Sequence, residues 1–298
     1  MTSTPTLGFI GPIGFIGLGV MGSGMCANLI RKQAAPVHVY DMNPEAVAAM
    51  VAIGGLAAPT DEDVARSADV IFLSLPGGKQ VHAVCAGIAV AAKPGTIVID
   101  LSTTAVADAR AAASMLMAAN GILFADAPVA RTRQAATDGT LSIMVGASDD
   151  LFARIAPLLG LIGSDVTHCG AVGCGQVVKL INNCLLFENV AAIAEMMVVA
   201  ERAGVTADKL IHAVGLGSGN SFALQNHGLK AMAPREFPLK AFPSTYTLKD
   251  LGYAIELAEQ VGIEPRVARL AASFYQEAVD AGIGEEYFPA IIKLVDKP

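Results

Sequence analysis

The sequence predicts a two-domain α/β chain: a doubly wound, mainly parallel sheet, then a long interdomain helix and an all-helical C-terminal domain. Three observations predict it. Short β-branched runs alternate with helical stretches through the first 170 residues. Those runs are almost continuously apolar, as strands covered on both faces must be. After about Gly170 no convincing strand remains and helical periodicity takes over.

The elements follow in order. "PIGFIG" is the first strand, and a helix runs from about Met21 to Arg31. "VHVY", Val37–Tyr40, is the second strand. Asn43-Pro44 then supplies an N-cap with proline at the first helical position. "DVIFLSLP" is a buried strand that Pro76 stops, and "GTIVIDLS", "ILFADAPV", "TLSIMVG" and "DVTHCG" continue the series. One helix then runs from about Gly173 to Ala203, followed by helical pieces near 207–214, 247–261 and 267–281. The expected domains are an N-terminal extension over 1–12, a sheet domain over 13–170 and a helical domain over 171–298.

Composition narrows the function. The 298 residues carry 20 basic and 27 acidic side chains, a formal charge of -7, with no basic run, which argues against a nucleic-acid partner. The chain is 53% hydrophobic, yet no stretch of about 18 uninterrupted apolar residues exists, so no membrane span is expected. Val177–Ala200, the most apolar long stretch, is broken by Lys179, Asn182, Asn183, Glu188, Asn189 and Glu195 and reads as a buried helix. Five cysteines without a CxxC pattern argue against a disulfide framework and against a zinc site. Five scattered histidines without HExxH spacing predict no metal. No basic targeting segment precedes Arg31, and a reducing, cytoplasmic compartment is expected.

The phrase "GFIG" occurs twice, at 8–11 and 14–17. Only the second copy leads into a full G-x-G-x-x-G match, Gly17-Leu18-Gly19-Val20-Met21-Gly22. The first copy is followed by Pro12, which locks φ where a tight turn needs freedom. In the second, Gly17 permits the turn, Gly19 lets backbone approach a pyrophosphate, and Gly22 lets the helix pack on the sheet. Val20 and Met21 complete the expected cofactor contacts. Asp41 closes the second strand 19 residues after Gly22, where a carboxylate accepts hydrogen bonds from a ribose 2′-hydroxyl. It would repel a 2′-phosphate, so NAD is the expected cofactor of this Rossmann-type domain.

"GAVGCGQVVKLINN", Gly170–Asn183, opens the long helix. Lys179 and Asn183 are four apart and share one face. Inside an apolar helix both need partners if buried; an exposed polar stripe is the plain alternative.

Together with "GFIGLGVMGSGMCANL", "LSLP", "DLSTT" and "TLKDLGYAIELA", that segment resembles the β-hydroxyacid dehydrogenases, the group of 3-hydroxyisobutyrate dehydrogenase and tartronate semialdehyde reductase. The likeness spans nearly the whole chain. It implies Lys179 as general acid/base and Asn183 as the residue that orients substrate. It further implies that Leu75, Pro76 and Thr103 contact the cofactor and that Lys249 closes over it. A lysine serving as a base near neutral pH needs burial and a nearby positive charge, such as oxidised nicotinamide, to fall from its ordinary value of about 10.4. The expected reaction is NAD-dependent hydride transfer at the carbinol or carbonyl carbon of a small anionic 3-hydroxyacid-type substrate.

One loop departs from the family. Where Asp-x-Pro-Val-Ser-Gly-Gly is usual, this chain has "DAPVART", Asp126–Thr132. Arg131 and Thr132 are the expected substrate contacts there, the guanidinium making parallel bonds to a carboxylate or sulfonate. The loop looks most like the sulfolactaldehyde reductase branch, which is the alternative substrate reading. Ser221 in "GSGNSFAL" is a further expected substrate contact, with a helix cap as its alternative. An imine reductase, a non-catalytic cofactor-binding regulator and a 6-phosphogluconate dehydrogenase are the competing classes. Lys179 argues against the first two and the size of the helical domain against the third. The apolar long helix predicts a homodimer or homotetramer.

Overall fold

The computed structural model describes residues 11–32, 35–239 and 241–297. The expected extension, residues 1–12, lies outside the described residues except for Gly11 and Pro12, so the first "GFIG" is not placed. The chain divides into two compact units, Met1–Lys179 and Leu180–Pro298.

In the first unit, β1 (Ile13–Ile16) is formed by the second "GFIG" phrase. It lies between β2 (Val37–Tyr40) and β4 (Val70–Leu73), parallel to both. With β3 (Leu56–Ala57), β5 (Ile97–Asp100) and β6 (Leu123–Asp126) the order is β3-β2-β1-β4-β5-β6, all parallel. Reversal of strand order between β1 and β4 leaves a crevice outside their carboxyl ends, where such sheets bind ligands.

Alternation along each strand fills two cores. Ile13, Phe15, Val37, Val39, Val70, Phe72, Ile97 and Ile99 face one layer, which includes Met25 and Leu29 of α1 (Gly22–Lys32). Ile16, Ile71, Leu73 and Val98 face the other, against α3 (Asp61–Ser67), α4 (Gly78–Ala91) and α5 (Val106–Asn120). The helix α2 (Pro44–Val51) begins at Asn43, whose side chain caps Glu45 as the sequence suggests.

The far edge is not parallel. The single run "ILFADAPV" becomes two strands, β6 and β7 (Val129–Ala130), both antiparallel to β8 (Leu141–Gly146). β9 (Gly163–Gly170) then pairs parallel with β8. The short α6 (Arg133–Asp138) and α7 (Asp149–Leu159) connect these strands.

The long helix α8 is Cys174–Arg202. By length and composition alone it is the one helix among the described residues that could cross a membrane. Its Phe187, Val190, Ala194 and Met197 instead pack in the core of the second unit. That core is completed by α9 (Ala207–Gly215), a π-helix over Leu224–Met232, α10 (Ser244–Gln260), α11 (Arg266–Asp280) and a short terminal helix, α12 (Ile292–Val295). The sequence reading contains no counterpart of the π-helix.

Candidate active site

The glycine loop leaves β1 at its carboxyl end. Gly17 sits at φ +96, and a Cβ there would lie 2.2 Å from the Ser74 carbonyl oxygen, so neither conformation nor space admits a side chain. A Cβ on Gly22 would meet Gly17 O at 2.1 Å. Gly19 differs: a Cβ there would meet nothing within 4 Å. Two glycines make the turn and the third leaves open backbone, the arrangement a pyrophosphate requires at the start of α1.

Asp41 ends β2 as expected and also braces the loop. Its Oδ2 accepts the Leu18 N–H at 2.5 Å and its Oδ1 accepts the Asn43 N–H at 2.7 Å. Beside it Met42 is exposed, and neither Met42 nor Asn43 carries a cation that could neutralise a 2′-phosphate.

Beyond β4 and β5 lie the other expected cofactor contacts. The Leu75 N–H donates to Ser102 Oγ at 2.9 Å, which joins the "LSLP" turn, with Pro76, to the "DLSTT" turn, with Thr103. Asp100 and Asp126 end adjacent strands in register. Asp100 is fully buried; it accepts the Ser102 N–H, and burial raises its pKa to about 7. Burial also raises that of Asp126, opposed by its bonds to the Gly173 and Gln176 amides.

Those bonds fix the start of α8. Gly173 N–H donates to Asp126 Oδ1 at 2.6 Å and Gln176 N–H to Oδ2 at 2.8 Å. The carboxylate thereby satisfies amides that a helix start leaves without intrahelical partners. Gly175 permits the approach, since a Cβ there would fall 2.4 Å from Met144 O. Three polar residues then follow along one face: Gln176, Lys179 and Asn183, exposed by 0%, 9% and 6%. The buried stripe replaces the exposed one that spacing alone allowed. In the second unit Asn183 Nδ2 donates to Asp250 Oδ2 at 2.7 Å. Asp250 is itself buried, with the Lys249 ammonium 3.1 Å from its other oxygen.

Asp126, Gln176 and Asp250 have no role in the sequence reading. A signal for Gln176 exists: it precedes Lys179 by three and Asn183 by seven, the repeat of one helix face. The carboxylates gave none, because their partners lie 47 to 67 residues away.

Arg131, the expected substrate clamp, has partners of its own. Its guanidinium is engaged within the fold: Nη1 donates to Thr140 O at 2.6 Å and Ser164 Oγ at 2.8 Å, and Nη2 pairs with Asp165 at 2.7 Å. A carboxylate already faces the charge intended for the substrate. The other two expected substrate contacts serve their own helices. Thr132 caps α6 through a long 3.4 Å bond from Ala135 N–H, and Ser221 accepts the Leu224 N–H at 3.1 Å. Among the described residues no group of three or more His, Cys, Asp or Glu comes together to hold a metal.

Known proteins match both parts of the chain. Residues 12–170 match the NAD-binding domain of 6-phosphogluconate dehydrogenase, and residues 173–295 match the NAD-binding domain of NADP-dependent 3-hydroxyisobutyrate dehydrogenase. The chain is 35% identical to 2-(hydroxymethyl)glutarate dehydrogenase of Eubacterium barkeri, over 95% of this chain and 94% of the relative. It is 32% identical to the NAD-dependent L-serine dehydrogenase of Pseudomonas aeruginosa, over 95% and 97% of the two chains. The solved structure of Mycobacterium tuberculosis 3-hydroxyisobutyrate dehydrogenase with L-serine superposes with a TM-score of 0.89 at 30% identity, covering 97% of this chain and 100% of that one. A glycine loop braced by Asp41, a buried lysine on α8 and relatives matched over almost their full length lead to one conclusion: the chain belongs to the β-hydroxyacid dehydrogenase family, NAD-dependent oxidoreductases acting on CH–OH groups.

Proposed function

We propose that the protein interconverts a small β-hydroxyacid and its semialdehyde with NAD, using Lys179 as general acid/base. The observation that carries the reading is the buried stripe Gln176–Lys179–Asn183 on an otherwise apolar helix. Burying a lysine costs stability, and ionisable groups buried in such a site are candidates for proton transfer.

NAD supplies or accepts the hydride at the reacting carbon. The open backbone at Gly19 fits its pyrophosphate and Asp41 fits a ribose without a 2′-phosphate. In the oxidising direction the neutral Lys179 amine takes the hydroxyl proton as the hydride leaves the carbinol carbon. In the reducing direction its ammonium returns that proton to the carbonyl oxygen. Asn183 has its amide nitrogen held by Asp250 and its Oδ1 accepting from Asn182 Nδ2 at 3.2 Å, which fixes the orientation of the carbonyl whose second lone pair would meet substrate.

A carboxylate is the anionic group this reading assigns to the substrate. The relatives named for 2-(hydroxymethyl)glutarate and L-serine, both carboxylates, support that choice over the sulfonate of a sulfolactaldehyde-type substrate. Lys179→Ala should lower kcat by about 100-fold or more while NADH affinity stays within about twofold. Steady-state assays with 3-hydroxyisobutyrate, L-serine, 2-(hydroxymethyl)glutarate and dihydroxypropanesulfonate read the first, and NADH fluorescence titration the second. An active Lys179→Ala enzyme overturns the assignment.

The protein is also assigned as a homo-oligomer. Ile181, Leu185, Met196 and Val199 form an exposed apolar stripe along α8, and Val267 and Leu270 are exposed on α11. A second copy is the partner that would cover both. Light scattering should give a multiple of the chain mass, and a monomer at micromolar concentration excludes this.

A further inference from the structure

We infer that Gln176 is a positioning residue that couples the cofactor turn to the base: its amide clamps the backbone around Thr103, three residues before Lys179 on the same helix. The inference rests on the assignments of Thr103 to the cofactor and Lys179 to proton transfer.

Gln176 is wholly buried at the start of α8. Its Nε2 donates to Ser102 O at 2.8 Å, and its Oε1 accepts the Thr104 N–H at 3.1 Å. One side chain therefore satisfies the carbonyl before Thr103 and the amide after it. This is the pairing a neighbouring strand would make, supplied here by a helix. It needs a donor and an acceptor on one planar group, which among neutral side chains an amide provides. Ser102 and Thr104 are both buried, so water is a poor substitute for either bond.

The clamp has a fixed base. The Gln176 N–H is bound to Asp126 Oδ2, and Asp126 also holds Gly173, so the first turn of α8 is tied to the end of β6. From that turn the helix carries Lys179 rigidly, on the face Gln176 occupies. The cofactor turn and the proton-transfer group are thus set by one anchor. A displacement near 1 Å between reacting groups is enough to cost about 100-fold in rate. Ser102 O and Thr104 N–H, the backbone groups on either side of Thr103, are both bound to the helix through Gln176.

The test is Gln176→Glu, the same shape with a switchable donor. Ionised, the carboxylate can accept from Thr104 N–H but turns its second oxygen toward Ser102 O. Protonated, the acid donates to Ser102 O again and the clamp closes. Burial raises a glutamate's pKa, so the switch falls within the assay range. Other groups nearby also titrate. Asp126 lies on the Gln176 amide, Asp100 lies across from Asp126, and Lys179 lies one turn along the helix. All three are present in the parent protein, so the readout is the ratio of variant to parent at each pH.

Two quantities are followed: the NADH Kd by fluorescence and the single-turnover hydride-transfer rate. Both should be worse by about tenfold near pH 8 and should recover toward parent values near pH 6. Gln176→Met, which keeps volume without either polar atom, should show the defect at every pH. It also tests the inference should the glutamate variant fold poorly. A ratio flat across pH for Gln176→Glu, or parent-like NADH affinity in Gln176→Met, overturns the inference. Its failure is separable from that of the base assignment. Lys179→Ala tests the base by activity, and the clamp is read by NADH binding, which does not use the base.

Discussion

Two turns in the first unit solve a similar problem with different materials. The glycine loop, residues 17–22, turns at Gly17 with φ +96; the loop after β7 turns at Arg131 with φ +88. An aspartate braces each. Asp41 bonds the backbone of the first, at Leu18 N–H, whereas Asp165 holds the second through a side chain, the Arg131 guanidinium. In the first loop the residue at positive φ pays no steric penalty, and its neighbour Gly19 stays open for the cofactor. In the second, an arginine occupies a conformation that disfavours any Cβ by about 1–2 kcal/mol. Three contacts to Thr140, Ser164 and Asp165 keep it there. A turn built from backbone is set by its own residues. A turn built from a side chain is set by where distant residues arrive.

The sharpest way to break this contrast is to give the first loop a side chain. Gly17→Ala adds a Cβ 2.2 Å from Ser74 O, and backbone rather than a flexible side chain is what it strikes. We expect NADH affinity to fall by about 100-fold or more, with a stability loss of about 2–4 kcal/mol if the turn is forced open. Calorimetric titration with NADH and a thermal melt read the two effects. Retained affinity would mean that the loop tolerates a second geometry and that its glycines do not define it.

The same contrast explains what was legible beforehand. β1, β2, β4, β5 and β6 were readable because each is an apolar run bounded by a turn, and the glycine loop because its spacing falls within six residues; β3, two exposed residues, left no such signal. The antiparallel edge was not, since "ILFADAPV" and "TLSIMVG" read as apolar runs whichever direction they pair. Lys179 and Asn183 could be placed on one helix face by spacing, and Arg131 was singled out because it departs from the family's usual text. Its direction was not readable, because it depends on Ser164 and Asp165, 33 and 34 residues later. Gln176 escaped for a related reason. A glutamine in a helix is ordinarily a surface residue, and only the arrival of Ser102 and Thr104 beside it reveals a buried clamp.

The smallest effects separate strut from clamp at Arg131. Arg131→Ala removes the guanidinium and keeps the unfavourable φ, whereas Arg131→Gly removes both. The glycine variant should therefore be more stable than the alanine variant by about 1 kcal/mol in denaturant titrations, the reverse of their order at an ordinary position. Asp165→Ala completes the comparison. Its pair with Arg131 is solvent-exposed, so its own contribution to stability should be small. If Arg131 is a strut, removing Asp165 loosens the loop as removing the arginine does, and substrate KM moves the same way in both, less in Asp165→Ala because Thr140 and Ser164 still hold the side chain. A guanidinium that binds the substrate anion directly would be released by that change. KM would then fall in Asp165→Ala and rise in Arg131→Ala, and the opposite signs would return Arg131 to the role its sequence first suggested.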